Sequence, residues 1–191
     1  MTKYVGLTEK RMANKRFRKT EEAILRVFFE EDYYVQMGEM AEKAGVARST
    51  IYSHHRAVRE ILPDYEKYVL RKYRRVVRRM MKNGNVRLKR IYLSMLFFMI
   101  QEKRIFEMLI KNHRRTLFEM MIGEIKMKVI SYARLPKNSE KIFRVYISEV
   151  VGLVEEWGRE GFLEVEIEKL LSEIMYLTDT MRSRLAPLMD N

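Results

Sequence analysis

Along most of the chain apolar residues recur every three to four positions, and no run alternates β-branched with polar residues, so the pattern predicts an all-α protein. The first clear stripe begins at Thr20. There Ala23, Ile24, Leu25, Val27, Phe28 and Phe29 mark an amphipathic helix, with Thr20 as its cap and Glu21 and Glu22 in the first turn, where acids are favoured. Met37, Met40, Ala41 and Ala44 trace a second helix. Gly45 supplies the positive φ that ends it cheaply, and Val46 and Ile51 anchor a third. Two short helices thus meet at a sharp corner. The outer face of the latter keeps Arg48, Ser49, Thr50, Tyr52, Ser53 and His54. Short or planar donors and acceptors with one fixed positive charge are what a helix entering the DNA major groove presents.

Residues 57–81 continue as one long helix. Tyr65, Tyr68 or Val69, Tyr73, Val76 or Val77 and Met80 lie on one face, and Pro63 fits a first turn or a kink. The sequence Lys82-Asn-Gly-Asn85 reads as a stop and turn. Beyond it, residues 86–103 are apolar all round at their centre, as in a helix buried on every side. Further helices are expected over 105–111 and 115–135, the latter broken at Pro136 with Asn138 or Ser139 capping the next. The last two, 140–158 and 164–185, are the best patterned, and Gly158-Arg-Glu-Gly-Phe162 joins them. Gly152 lies inside the first of this pair. It costs that helix about 1 kcal/mol relative to Ala unless the close approach of another helix offsets it.

Charge separates the two halves. Residues 1–90 carry 23 Lys and Arg against 11 Asp and Glu, a net of +12, whereas residues 91–191 carry 15 of each. The whole excess of +12 therefore falls on the segment with the helical corner, as a polyanion-binding module requires. Lys3, Lys10, Arg11, Lys15, Arg16, Arg18 and Lys19 face only Glu9 in the first nineteen residues. They suggest an arm along phosphates, or a solvated tail. From 71 to 90, ten of twenty residues are Lys or Arg; the start of that stretch is placed to touch phosphates and its far end to be solvated.

At 191 residues and 47% apolar, the chain can bury a substantial core. The absence of Cys excludes a disulfide framework and any thiolate nucleophile or metal site. No apolar stretch near Met1 matches a signal peptide, and the run Ile91 to Ile100 is too short to span a membrane. A soluble, cytoplasmic protein is expected. Gly-rich phosphate loops, His-Glu-x-x-His and Gly-x-Ser-x-Gly are absent, so no enzyme and no cofactor are expected. The three imidazoles, His54, His55 and His113, do not make a metal site. His54 and His55 project about 100° apart on a helix. His55 is expected to be partly buried.

Residues 22–62 resemble the DNA-binding domain of the tetracycline-repressor-like (TetR) family. Ala23-Ile-Leu-Arg-Val-Phe-Phe29, Glu39-Met-Ala-Glu-Lys-Ala-Gly-Val46 and Arg48-Ser-Thr-Ile-Tyr-Ser-His54, leading into Arg59-Glu-Ile-Leu62, occur in the family's order. Three departures stand out. Ala47 replaces the usual capping Ser or Thr, His55 replaces an apolar Phe, and 31–36 lacks a common Gly and is about a residue short.

The resemblance implies a DNA-binding domain over 1–62, and a connecting helix with a helical regulatory and dimerisation domain over 63–191. It implies a homodimeric transcriptional regulator, a repressor relieved by a small apolar effector, on a palindromic duplex operator. Arg48 would take a guanine bidentately, Thr50 and Tyr52 a phosphate or thymine methyl, and Ser53 an adjustable hydrogen bond. Ser49 and His54 would complete the contacts, with Arg56 on a phosphate. The final helix pair would form a four-helix bundle with its copy through Phe143, Ile147, Val150, Gly152, Val154 and Trp157 of one helix. Ile167, Leu171, Ile174, Thr178 and Met181 would serve on the other. The effector cavity would lie among Met95, Phe98, Met99, Met108, Phe118, Met121 and Tyr146, residues that equally suit a packed core. The rival is a basic all-α module that binds acidic protein or RNA without reading bases.

Overall fold

A computed structural model describes residues 7–31, 35–82, 86–133 and 140–185. Among them every regular element is helical: α1 Glu9–Ala13, α2 Lys15–Glu30, α3 Met37–Lys43, α4 Arg48–His54, α5 Val58–Lys82, α6 Leu88–Gln101, α7 Lys103–Lys111, α8 Thr116–Gly123, α9 Lys126–Tyr132, α10 Glu140–Arg159 and α11 Ile167–Leu185. The protein is all-α. It divides into two compact units, 1–69 and 70–191, and the division falls within α5. The expected caps at Asn138 and Ser139, most of the turn after Lys82 and the segment 32–34 lie outside the described residues.

Unit 1 begins differently from the expectation. Thr20 caps nothing. Instead α2 starts six residues earlier, where the Asn14 side chain accepts hydrogen bonds from the backbone N–H groups of Arg16 and Phe17. Glu21 and Glu22 therefore lie in mid-helix. The stretch expected to be an arm is structured from Leu7 onward: Thr8 caps α1, and Leu7 and Met12 are buried. These two apolar residues hold α1 on the domain. Lys3 lies outside the described residues.

The corner forms as its residues dictate. Gly45 has φ +65°, and the N–H groups of Gly45 and Val46 bond back to the carbonyls of Glu42 and Ala41. This pair of bonds is the Schellman arrangement that satisfies the last carbonyls of a helix ending in a left-handed residue. Met37, Met40, Ala41 and Ile51 are buried beneath it with Ile24, Leu25, Val27 and Phe28. Lys43 at the end of α3 binds Glu31 and Glu39 at 2.6 and 2.8 Å, and these bonds raise its ammonium to about 12. Not every cation of unit 1 is thus offered outward.

In unit 2, α10 packs on α7 and α8, and α11 on α6 and α10. Ile91, Tyr92, Met95, Leu96, Phe98 and Met99 of α6 are buried, but Phe97 is 41% exposed, so this helix is not enclosed on every side. The single helix expected over 115–135 is two. It breaks at Glu124 and Ile125 between α8 and α9, where Ile125 is fully buried. The last helix starts at Ile167, after a short 3-10 turn over Glu164–Glu166. Gly161 and Phe162 turn the chain between α10 and α11 with φ of +88° and +52°. Phe162 is buried edge-on against Trp157, whose indole N–H donates to the Leu163 carbonyl at 2.9 Å. Pro63 lies in the second turn of α5 and not in its first.

Candidate nucleic-acid interface

Helix α4 is seven residues long and is preceded by Ala47, which has capping backbone geometry (φ −65°, ψ 145°) but no side chain to accept a bond. The missing cap is a property of the fold as well as of the sequence. Successive residues turn by about 100°, which separates this short helix into two sides. Ile51 and His54 are buried; Arg48, Ser49, Tyr52 and Ser53 are exposed, and Thr50 is half-buried at the edge between them. The Arg48 guanidinium lies 6.0 Å from the centre of the Tyr52 ring. A planar cation over an exposed aromatic ring is held ready without being neutralised. Ser53 donates its hydroxyl to the Thr50 carbonyl at 2.7 Å, which leaves its lone pairs as outward acceptors. Arg56 is exposed in the bend that follows α4.

His54 corrects the expectation most plainly. It was expected on the DNA face, yet it is only 3% exposed and belongs to the support beneath that face. Its ring stacks on Phe17 at 3.8 Å, and on the far side of Phe17 the Arg11 guanidinium sits 4.5 Å from the ring centre. His54 Nδ1 donates to Glu21 Oε2 at 2.7 Å, and His55 Nε2 donates to Glu21 Oε1 at 2.9 Å. One carboxylate therefore clamps two consecutive imidazoles, one on each oxygen. His55, expected to be partly buried, is wholly so, and its Nδ1 faces Asp64 of α5 at 3.5 Å.

Glu21 is fully buried as well. Burial by itself pushes its carboxyl up, but the hydrogen bonds from His54 and His55 and their charges together outweigh it, holding the group below the ordinary carboxylate range. It is therefore ionised and can only accept, which fixes the two bonded ring nitrogens as donors. The two buried imidazoles are thus matched by an acid from another helix. Glu21 was visible in the sequence as a charged member of the stripe Glu21, Ile24, Leu25, Phe28, where an amphipathic helix places core residues.

The helix pair α10 and α11 also corrects an expectation. Phe143, Val150, Val154, Trp157, Ile167, Leu171, Ile174 and Thr178 were expected in a subunit interface, but all are buried in unit 2 itself. They form the stripe that seats the pair on α6, α7 and α8. Ile147 and Met181 are half-buried, and a Cβ on Gly152 would meet nothing within 4 Å. The outward side is a different stripe. Ser148, Gly152, Leu153, Ser172, Tyr176 and Leu177 line an apolar groove of about 630 Å³ flanked by Glu149, Lys169 and Glu173. It adjoins a second groove lined by Ile142, Val145 and Met181, and Val145 and Tyr176 are 63% and 70% exposed.

Met95, Phe98, Met99, Met108, Phe118, Met121 and Tyr146, expected around an effector, are all buried in unit 2. Their rings meet neighbours: Phe98 lies against Tyr73, Phe118 against Phe106, and Tyr146 against Phe143. Sequence reasoning missed a polar chain through this core. Tyr92 bonds Tyr146, Tyr146 bonds Thr178 at 2.8 Å, and Thr178 donates to the Ile174 carbonyl. Burial pushes the Tyr73, Tyr92 and Tyr146 phenols above their usual range. The Tyr73 hydroxyl, wholly buried nearby in sequence order on α5, makes no hydrogen bond among the described residues.

Among the described residues no three His, Cys, Asp or Glu side chains are grouped to hold a metal, and no helix is long and apolar enough to cross a membrane. No protein-family model matches the chain, and no curated protein matches it.

Proposed function

We propose that the protein is a sequence-specific DNA-binding transcriptional regulator of TetR type that works as a homodimer. The observation that carries this reading is the α3–α4 corner. A Schellman stop at Gly45 and the buried clamp on His54 and His55 hold a short helix whose exposed side offers Arg48, Ser49, Tyr52 and Ser53, in the half of the chain that carries the full net charge of +12. An α-helix fits the major groove, and bidentate Arg contact with guanine is the commonest specific contact there. Arg48 is the base reader. Tyr52 takes a thymine methyl or phosphate, Ser49 and Ser53 are adjustable partners, and Arg56 anchors a phosphate.

The homodimer uses the outward stripe of α10 and α11, with Gly152, Ser148 and Ser172 small enough to let a second helix pair approach and Tyr176 and Leu177 filling the groove. Two α4 helices then read half-sites about one turn apart. Repression relieved by a small apolar effector completes the reading, with unit 2 as the place where it binds. The rival, a basic module without base readout, predicts binding that depends on salt and not on sequence.

Selection of the full chain against randomised duplex DNA, at about 0.15 M salt with competitor, tests the central point. A palindrome is the expected result; an unenriched pool would sink it. On the selected site Arg48→Ala should cost about 1–3 kcal/mol and relax one base position, whereas Arg56→Ala should weaken all sequences alike. Sedimentation of Gly152→Arg, at a position where a Cβ meets nothing within 4 Å of its own protomer, should show monomers if the outward stripe is the interface.

A further inference from the structure

Beside α4 lies a second concavity, of about 540 Å³, whose walls include Arg11, Asn14, Arg16, Thr20 and Thr50. Among the described residues that line it there is no carboxylate. Two guanidinia enter from α1 and α2, and two hydroxyls from α2 and α4. Arg11 is fixed in place: it donates to the Ser53 carbonyl at 3.1 Å and lies over the Phe17 ring at 4.5 Å. Asn14 takes up the N–H groups of Arg16 and Phe17, so the helix end itself has little left to offer an anion. The attraction comes from the side chains.

We propose that this groove seats one backbone phosphate of duplex DNA, immediately beside the base pairs that α4 reads. The proposal rests on the reading of α4 given above. Its position on the helix favours DNA over a free anion. Counting 100° per residue from Arg48, the exposed side runs through Tyr52 at about 40°, Ser49 at about 100° and Ser53 at about 140°. Thr50 follows at about 200°, on the rim toward the groove. A duplex lying on the exposed side brings its phosphates past this rim. Fork-shaped guanidinium groups match phosphate oxygens two at a time, and threonine hydroxyls donate to them singly. Thr50 is thereby assigned to the backbone and not to a thymine methyl. Helix α1, held down by Leu7 and Met12, serves to bring Arg11 to this rim.

The test is the salt dependence of binding by the full chain, comparing wild type with Arg16→Ala and with Arg26→Ala. Arg26 is also exposed on α2 but lies ten residues further on, about 15 Å along the helix. Both changes remove one charge from a solvated side chain, so neither threatens folding. Arg16→Ala should reduce the slope of log K against log salt by about 0.9 and leave base preferences unchanged, while Arg26→Ala leaves the slope as it was. Equal slopes for the two variants overturn the proposal. Thr50→Val, which keeps the volume and loses the hydroxyl, should weaken all duplex sequences alike; a changed preference at one base pair would assign Thr50 to a base and overturn it too. Because the slopes can be measured on a single arbitrary duplex, they decide the groove even when selection yields no preferred sequence, an outcome that would instead count against the base-reading role of α4.

Discussion

Removing the carboxylate of Glu21 should loosen α4 from below. Glu21→Ala leaves two wholly or nearly buried imidazole N–H groups, on His54 and His55, without their acceptor. Each orphaned buried donor costs about 1–3 kcal/mol, and two are orphaned here. A loss of about 3–5 kcal/mol is expected, a large part of the 5–15 kcal/mol typical of a folded domain. Glu21→Gln should cost less, about 2 kcal/mol. One amide oxygen still accepts, the other imidazole can switch tautomer to accept from the amide NH₂, and what disappears is the charge assistance of two bonds. Hydrogen exchange of α2 to α4 amides across a urea series is the assay, because two compact units need not unfold as one. An Ala variant within about 0.5 kcal/mol of wild type would refute the clamp, as would Gln proving as damaging as Ala. Replacing all three members with apolar residues, E21L with H54L and H55F, should recover much of the loss, since replacing both partners of a buried hydrogen bond by apolar groups leaves no donor unpaired. The sign of the acid dependence follows from the same geometry. A carboxyl held low in the folded state stabilises fully above its unfolded value of about 4.3 and loses that contribution as the pH falls through the folded one. Wild type should therefore lose more stability than Glu21→Ala as the pH is lowered from about 4.5 to 3.

Two further predictions concern single side chains. Ala47→Ser adds the absent acceptor at a residue whose backbone already has capping geometry, so thermal unfolding of unit 1 should shift up by the equivalent of about 1 kcal/mol. Tyr73→Phe and Tyr146→Phe should differ in sign. Losing the unbonded Tyr73 hydroxyl should be neutral or stabilising, whereas Tyr146→Phe interrupts the chain from Tyr92 to Thr178 and should cost about 1–3 kcal/mol in urea unfolding.

The helical class and the corner were legible because each rests on a local rule. A 3.6-residue period needs no knowledge of the partner, and a Gly after Ala44 ends α3 by its own backbone freedom. Which side of a helix faces inward was harder to read where both sides carry apolar residues. On α10 the expected interface put Val150 and Gly152 in one set, and only the packing on α7 and α8 shows that the stripe through Val150 is core. The start of α2 was misplaced for a related reason. Thr20 and Asn14 are both competent caps, and the choice of Asn14 depends on Phe17 having an imidazole to stack on, thirty-seven residues further along the chain.

The clamp itself joins positions that sequence spacing cannot bring together. Glu21 and His54 are separated by 33 residues and four helix ends, and each alone looks like a surface residue: an acid in an early turn, a polar side chain on an outer face. Polar residues on an apolar stripe are the visible trace of such a site, because burying one without a partner costs more than a domain can easily tolerate. An unmatched charge on the core side of one helix is thus a reason to look for its complement on another. By that logic the two adjacent histidines, both buried, and the acid on the α2 stripe are parts of one solution: they fix the end of α4 by directional bonds where an aromatic side chain would fix it by packing alone.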